Sequence, residues 1–152
     1  MNKTSSIALA LFALLGAKAV TVGAEPAKAV IIVANDTMKF SVTRIAAAPG
    51  QALHVELRNE GTLPKVAMGH NWILLMKDSQ ANDYATQAMA ASAEEYQPKA
   101  LASEVLAAIK LLGPRQVGTV DFTAPTQPGT YPFICSFPGH AMAGMRGELV
   151  VH

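Results

Sequence analysis

Leu53, Val55 and Leu57 alternate strictly with His54, Glu56 and Arg58, and Pro49-Gly50 and Asn59-Glu60-Gly61 close off the two ends. Successive side chains of a strand point to opposite faces, so an apolar set at period two predicts a half-buried strand. The pattern recurs along most of the chain. Met38, Phe40 and Val42 alternate with Lys39, Ser41 and Thr43, and Val120 and Phe122 with Thr119, Asp121 and Thr123. His70, Trp72, Leu74 and Met76 share one face, as do Tyr131, Phe133 and Cys135, and then Met145, Leu149 and Val151. Ala29 to Ala34 is continuously apolar, which reads as a strand covered on both sides. Seven short strands between turn signals predict an all-β antiparallel sandwich with Greek-key connections.

Residues 79–112 break the alternation. They are rich in Ala, Glu, Gln and Met and interrupted once, at Pro98. This composition predicts a helical insertion on the outside of the sandwich, with a helix near 82–95. Leu101, Val105, Ile109 and Leu112 have helical spacing, but a strand running into Gly113-Pro114 fits residues 103–112 equally well.

The first 24 residues have a different character. Lys3 precedes an almost wholly apolar run from Ile7 to Leu15, and Val22-Gly23-Ala24 supplies small residues before Glu25. This is the pattern of a secretory signal peptide cut after Ala24, with a second small-x-small site ending at Ala19. The apolar run is short for a membrane span and Lys18 interrupts its far end, so no stable membrane insertion of the mature protein is expected. Residues 25–152 then form one domain exported to the periplasm. Cleavage removes Lys3 and Lys18 from the twelve basic residues and none of the eleven acids. A nearly neutral surface offers no electrostatic case for nucleic acid.

An exported chain with one cysteine has no internal disulfide to make. Cys135 opens a loop-forming stretch, Cys135-Ser-Phe-Pro-Gly-His140-Ala-Met-Ala-Gly-Met145. A buried inert thiol, or a nucleophile with His140 as its base, would account for Cys135 alone. Neither accounts for a thiol, an imidazole and a thioether within eleven residues. A soft thiolate, two imidazoles and a weak thioether form the trigonal site of an electron-transfer copper protein. The second imidazole must come from elsewhere, and His70, opening an apolar strand, is the candidate. His54 lies on the polar face of its strand and His152 ends the chain, so neither has a reason to be a ligand.

Leu63-Pro64-Lys65-Val66-Ala67-Met68-Gly69-His70-Asn71-Trp72 and Cys135-Ser-Phe-Pro-Gly-His140 closely resemble the motifs of azurins, within the cupredoxin family of blue copper proteins. The resemblance extends strand for strand over nearly the whole mature chain. It implies His70, Cys135 and His140 as equatorial copper ligands, Met145 as the weak axial one, and a Gly69 carbonyl approaching from the opposite side. It implies that Asn71 ties the ligand loops together, that the Asn71 and Phe137 N–H groups point at the Cys135 sulfur, and that Trp72 is a core tryptophan. Two features depart from azurins. Four residues, Ala141 to Gly144, separate His140 from Met145 where azurins have three, a spacing similar to auracyanin and rusticyanin. The N-terminal disulfide of azurins has no counterpart.

The expected function is a periplasmic one-electron carrier with one Cu(I)/Cu(II) ion, no substrate and no bond chemistry. Redox partner proteins would dock on an apolar patch near His140 made by Met68, Phe137, Pro138, Ala141, Met142 and Ala143. A copper oxidase or nitrite reductase-like enzyme would need further histidines, and the chain has only four. A copper carrier or resistance protein is the other reading, and it would favour exposed Met and His clusters.

Overall fold

The computed structural model describes residues 26–152, so the expected leader and its expected cleavage sites lie outside the described residues. Eight strands form two sheets. They are β1 Lys28–Ala34, β2 Arg44–Ala47, β3 Ala52–Asn59, β4 His70–Leu75, β5 Val105–Leu112, β6 Val117–Thr123, β7 Gly129–Ile134 and β8 Arg146–Val151. One sheet has the order β1-β3-β6 and the other β2-β8-β7-β4-β5. The inner faces meet in one core that includes Ile32, Leu53, Val55 and Leu57 from the first sheet and Trp72, Leu74, Phe133 and Leu149 from the second. Each such side chain, taken fully out of water, contributes roughly 1.5–3 kcal/mol before chain entropy is set against it.

The sandwich is mixed rather than wholly antiparallel. β1 runs parallel to β3, and β2 parallel to β8. Period-two alternation fixes which face is buried and carries no information about strand direction. β1 also differs from its expected double coverage. It is an edge strand, and Ile31 on its outer face is 50% exposed.

The strand expected at Met38–Val42 is not formed beyond a single bridge between Ala34 and Phe40. The Asn35 side chain accepts the Thr37 N–H at 3.0 Å and the Thr37 hydroxyl at 2.6 Å, and Met38 is left-handed with φ 55°. Such local side-chain bonds favour a turn over a ladder. Phe40 still reaches the core, packing 5.8 Å from Phe133. The ladder resumes as β2, whose four residues show too little alternation to be noticed.

The insertion does pack outside the sandwich. Helix α2, Ala81–Ala88, lays Tyr84, Ala85 and Ala88 on Ile73, Leu75 and Ile134. This second cluster explains why all six residues of β4 are buried. The helix is shorter than the span 82–95. It ends at Ala88 and is followed by a 3-10 turn at Ser92–Glu94. Residues 99–104 form a second 3-10 turn, and Val105–Leu112 resolves as strand β5 against β4. Cross-strand pairing there outweighs a helical spacing that had no second face to bury.

Candidate metal centre

His70 begins β4, Cys135 follows β7, and Met145 immediately precedes β8, so three adjacent strands of one sheet deliver residues to the same end of the sandwich. The loop between β7 and β8 is a set of tight turns. The His140 N–H donates to the Phe137 carbonyl at 3.0 Å, and the Met145 N–H to the His140 carbonyl at 2.9 Å. The Cys135 N–H donates to the Met145 carbonyl at 3.0 Å. Gly144 makes the last turn with φ 93°, a conformation that costs little only without a Cβ. Two cations hold this loop from outside. Lys39 Nζ donates to the Ala143 carbonyl at 2.5 Å, and Arg146 bonds both the Ala141 carbonyl and, at 2.9 Å, Asn82 Oδ1 of α2.

The donor atoms of His70, Cys135 and His140 lie within 4.8 Å of one another. Among the described residues this is the His, Cys, Asp and Glu group compact enough to hold a metal ion. His70 and Cys135 have no exposed surface, and His140 is 2% exposed. The His70 and His140 rings are 5.0 Å apart, and His140 Nδ1 is 3.5 Å from Cys135 Sγ. Neither His70 ring nitrogen has a hydrogen-bond partner. The Asn35 carbonyl lies close enough to act on one of them, and a metal ion is the group that satisfies the other. The soft sulfur and two imidazoles therefore fit copper, in chemistry and in spacing.

Burial governs the charges. It pushes the Cys135 thiol up to about 12, and the N–H groups of Asn71 and Phe137 pull it back only partly. A bound cation supplies the stabilisation that the thiolate lacks here. Burial and then the neighbouring His70 lower His140 to about 4. Burial likewise lowers His70, offset in part by the Asn35 carbonyl and the Asp36 carboxylate. Both imidazoles are thus neutral and free to donate a lone pair at neutral pH.

Asn71 ties the His70 and Cys135 segments together as the resemblance implied. Its Oδ1 accepts the Ser136 N–H at 2.8 Å and its Nδ2 donates to the Ser136 hydroxyl at 2.8 Å. Met145 is completely buried, whereas Met142 is 56% exposed. Gly69 has an extended backbone that any residue could adopt, but an added Cβ would lie 2.7 Å from the Lys65 carbonyl and 2.9 Å from Leu111 Cγ. Close packing of the short helix α1, Lys65–Met68, against β5 is reason enough for glycine there. Trp72 has no exposed surface. His54 faces outward and bonds Asp121 at 2.6 Å, away from the cluster. The roles of Ser136, Lys39 and Arg146 had no signal in the sequence, because each depends on a carbonyl or amide brought near by folding.

Residues 27–152 match the family described as copper binding proteins, plastocyanin/azurin family. The azurin of Achromobacter denitrificans is 35% identical over 121 residues, 78% of this chain and 80% of its own. Auracyanin-B of Chloroflexus aurantiacus is 32% identical over 132 residues, 86% of this chain and 54% of its own. Among solved structures, dithionite-reduced auracyanin from Roseiflexus castenholzii superposes with TM-score 0.73 at 28% identity, covering 86% of this chain and 99% of that one. Auracyanin A, a "blue" copper protein from Chloroflexus aurantiacus, gives TM-score 0.73 at 29% identity, covering 84% and 100%. Fold, donor chemistry and relatives agree, and the chain belongs to the plastocyanin/azurin family of copper-binding, electron-transfer proteins.

Proposed function

We propose that this protein is an exported one-electron carrier whose single copper is held by His70, Cys135 and His140, with Met145 as a long axial ligand and the Gly69 carbonyl facing it. The observation that carries the reading is the dry His-Cys-His cluster with donor atoms within 4.8 Å and a buried His70 ring nitrogen without a protein partner. Copper, when bound, supplies the chemistry by alternating between Cu(II) and Cu(I). The chain supplies rigidity. Its ligands sit on adjacent strands and a hydrogen-bonded loop, so they move little when the charge changes, and the closed packing keeps water out. Deep burial of every donor also favours retention over the easy metal exchange that a copper carrier needs.

The axial assignment rests on burial. Met145→Leu is expected to keep a coloured copper site with a raised reduction potential and altered copper EPR, since the thioether bond is weak and tunes rather than holds. Met142→Leu should leave both as in wild type. The opposite pattern in voltammetry and EPR would transfer the role to Met142.

Partner docking is proposed at the apolar surface beside His140, with the exposed Met142 on its rim. Ala143 is exposed too, and Met68 and Pro138 are half-exposed, whereas Phe137 and Ala141 are buried and serve the fold instead. Methionine adapts readily to transient partners. Met142→Glu should slow electron exchange without moving the copper spectrum.

Periplasmic placement rests on the leader in the first 24 residues. Sequencing exported protein should find Glu25 first, or Val20 if the earlier site is cut. Retention of Met1 in the exported fraction would contradict it.

A further inference from the structure

Glu95 and Tyr96 both adopt left-handed backbone conformations, with φ of 53° and 61°. Residues with a Cβ enter this region at a cost, and two in succession are uncommon. The local frame is a helix stop. The Glu95 N–H donates to the Ser92 carbonyl at 3.1 Å and the Tyr96 N–H to the Ala91 carbonyl at 2.9 Å. This is the Schellman arrangement, whose left-handed position is usually glycine. Here glutamate and tyrosine occupy a conformation that glycine would take freely.

Tertiary contacts hold them there, and those of their two carbonyls lead to the metal centre. The Tyr96 carbonyl accepts the Ser136 hydroxyl at 2.5 Å, and the Glu95 carbonyl lies 3.5 Å from Asn71 Nδ2. Asn71 follows His70, and Ser136 follows Cys135. The Tyr96 ring packs edge-on against Phe137 at 5.1 Å, and Phe137 stands 4.7 Å from the His140 ring. Tyr96 touches both apolar clusters of the protein. Lys65 of α1 pairs with the Glu95 carboxylate at 2.5 Å, but both side chains are well exposed, so that pair contributes little.

We propose that the Glu95-Tyr96 turn is a backbone latch for the metal centre. Its two carbonyls fix the Asn71 amide and the Ser136 hydroxyl, and through them the spacing of the His70 and Cys135 strands. The outer insertion thereby positions ligands that it does not itself supply. This rests on the assignment of His70 and Cys135 as ligands. A side-chain amide left free to turn would release the Ser136 N–H and let the sulfur drift relative to the imidazole.

Two substitutions at one position separate backbone from side chain. Glu95→Val disfavours the left-handed conformation, because the β-branched side chain clashes there. Glu95→Gly removes the carboxylate and keeps the conformation. In metal-free protein, the position-136 amide should exchange with solvent roughly ten-fold faster or more in Glu95→Val than in wild type, measured against the Val55 amide of the distant sheet. With copper, the same variant should shift the thiolate-to-copper band and the reduction potential. Glu95→Gly should match wild type in both measurements. A Glu95→Val protein identical to wild type, or a Glu95→Gly protein equally perturbed, overturns the latch. If Glu95→Val does not fold, Ser136→Ala removes the hydroxyl that joins Asn71 to Tyr96. It must then speed exchange of the same amide and shift the band, and a wild-type result from it refutes the proposal. Should wild-type protein take up copper without colour, the ligand assignment fails, and the metal-free exchange rates still decide the latch.

Discussion

Cys135→Ala is expected to abolish the intense visible band of the copper-loaded protein while leaving a folded sandwich. The sulfur is the thiolate donor of the proposed site, and Cys135 is the chain's single cysteine. No other side chain within the His70–His140 cluster can take over the charge transfer, because imidazole and thioether ligands do not give that band. The fold has little stake in the sulfur. The Cys135 N–H bond to the Met145 carbonyl is a backbone contact and persists. A thiol kept at about 12 by burial is neutral without metal, so its removal eliminates no ion pair from the metal-free protein. Replacing so small a buried group costs on the order of 1 kcal/mol. Absorption spectroscopy of the copper-titrated variant, beside far-ultraviolet circular dichroism, reads both halves. An equally coloured Cys135→Ala protein would mean that the ligand set is wrong.

Phe133→Ala should have the largest effect on stability, about 3–5 kcal/mol. Phe133 is completely buried and lies between Phe40, at 5.8 Å, and Trp72, at 5.4 Å. In the β7–β8 ladder it stands opposite Gly147, a position without a side chain, and its ring fills the room that this leaves. Removing the ring opens a cavity that neighbours fixed in two sheets cannot collapse to fill. For a domain of this size the loss corresponds to a fall in Tm of roughly 10–25 °C. Thermal unfolding of the metal-free protein measures it without contribution from copper binding, which would otherwise add its own stabilisation. A fall of only a degree or two would show that the aromatic centre of the core is more plastic than its packing implies.

Lys39 and Arg146 show how the ligand loop depends on parts of the chain far from it. Each donates to a loop carbonyl, Ala143 and Ala141 respectively, and Arg146 carries the connection on to Asn82 in α2. The residue after Cys135 is equally dependent. Ser136 bonds Asn71 through its amide and hydroxyl, and reaches Tyr96 through the same hydroxyl. The metal centre is therefore braced from the insertion side as well as from the sheet.

Some of this was decided by the sequence alone. The alternation at Leu53–Arg58 and Tyr131–Cys135 specified inward faces, because a strand has only two. The Cys135–Met145 stretch and His70 specified a soft donor set, because ligand chemistry is carried by residue type. Residue type also separated His54, on a polar face, from His70, on an apolar one. Strand direction, the turn at Asn35–Met38 in place of a strand, and the choice of strand for Val105–Leu112 were decided only in the tertiary structure. In each, local preferences were nearly balanced: a partner distant in sequence decided β1, which pairs with β3, and β5, which pairs with β4, whereas at Met38 the bonds from the neighbouring Asn35 side chain prevailed over the ladder. The left-handed pair at Glu95 and Tyr96 lies furthest from anything legible in sequence. Local preference there points to glycine, and the contacts with Asn71 and Ser136 that favour the turn exist only once the insertion has folded back onto the site.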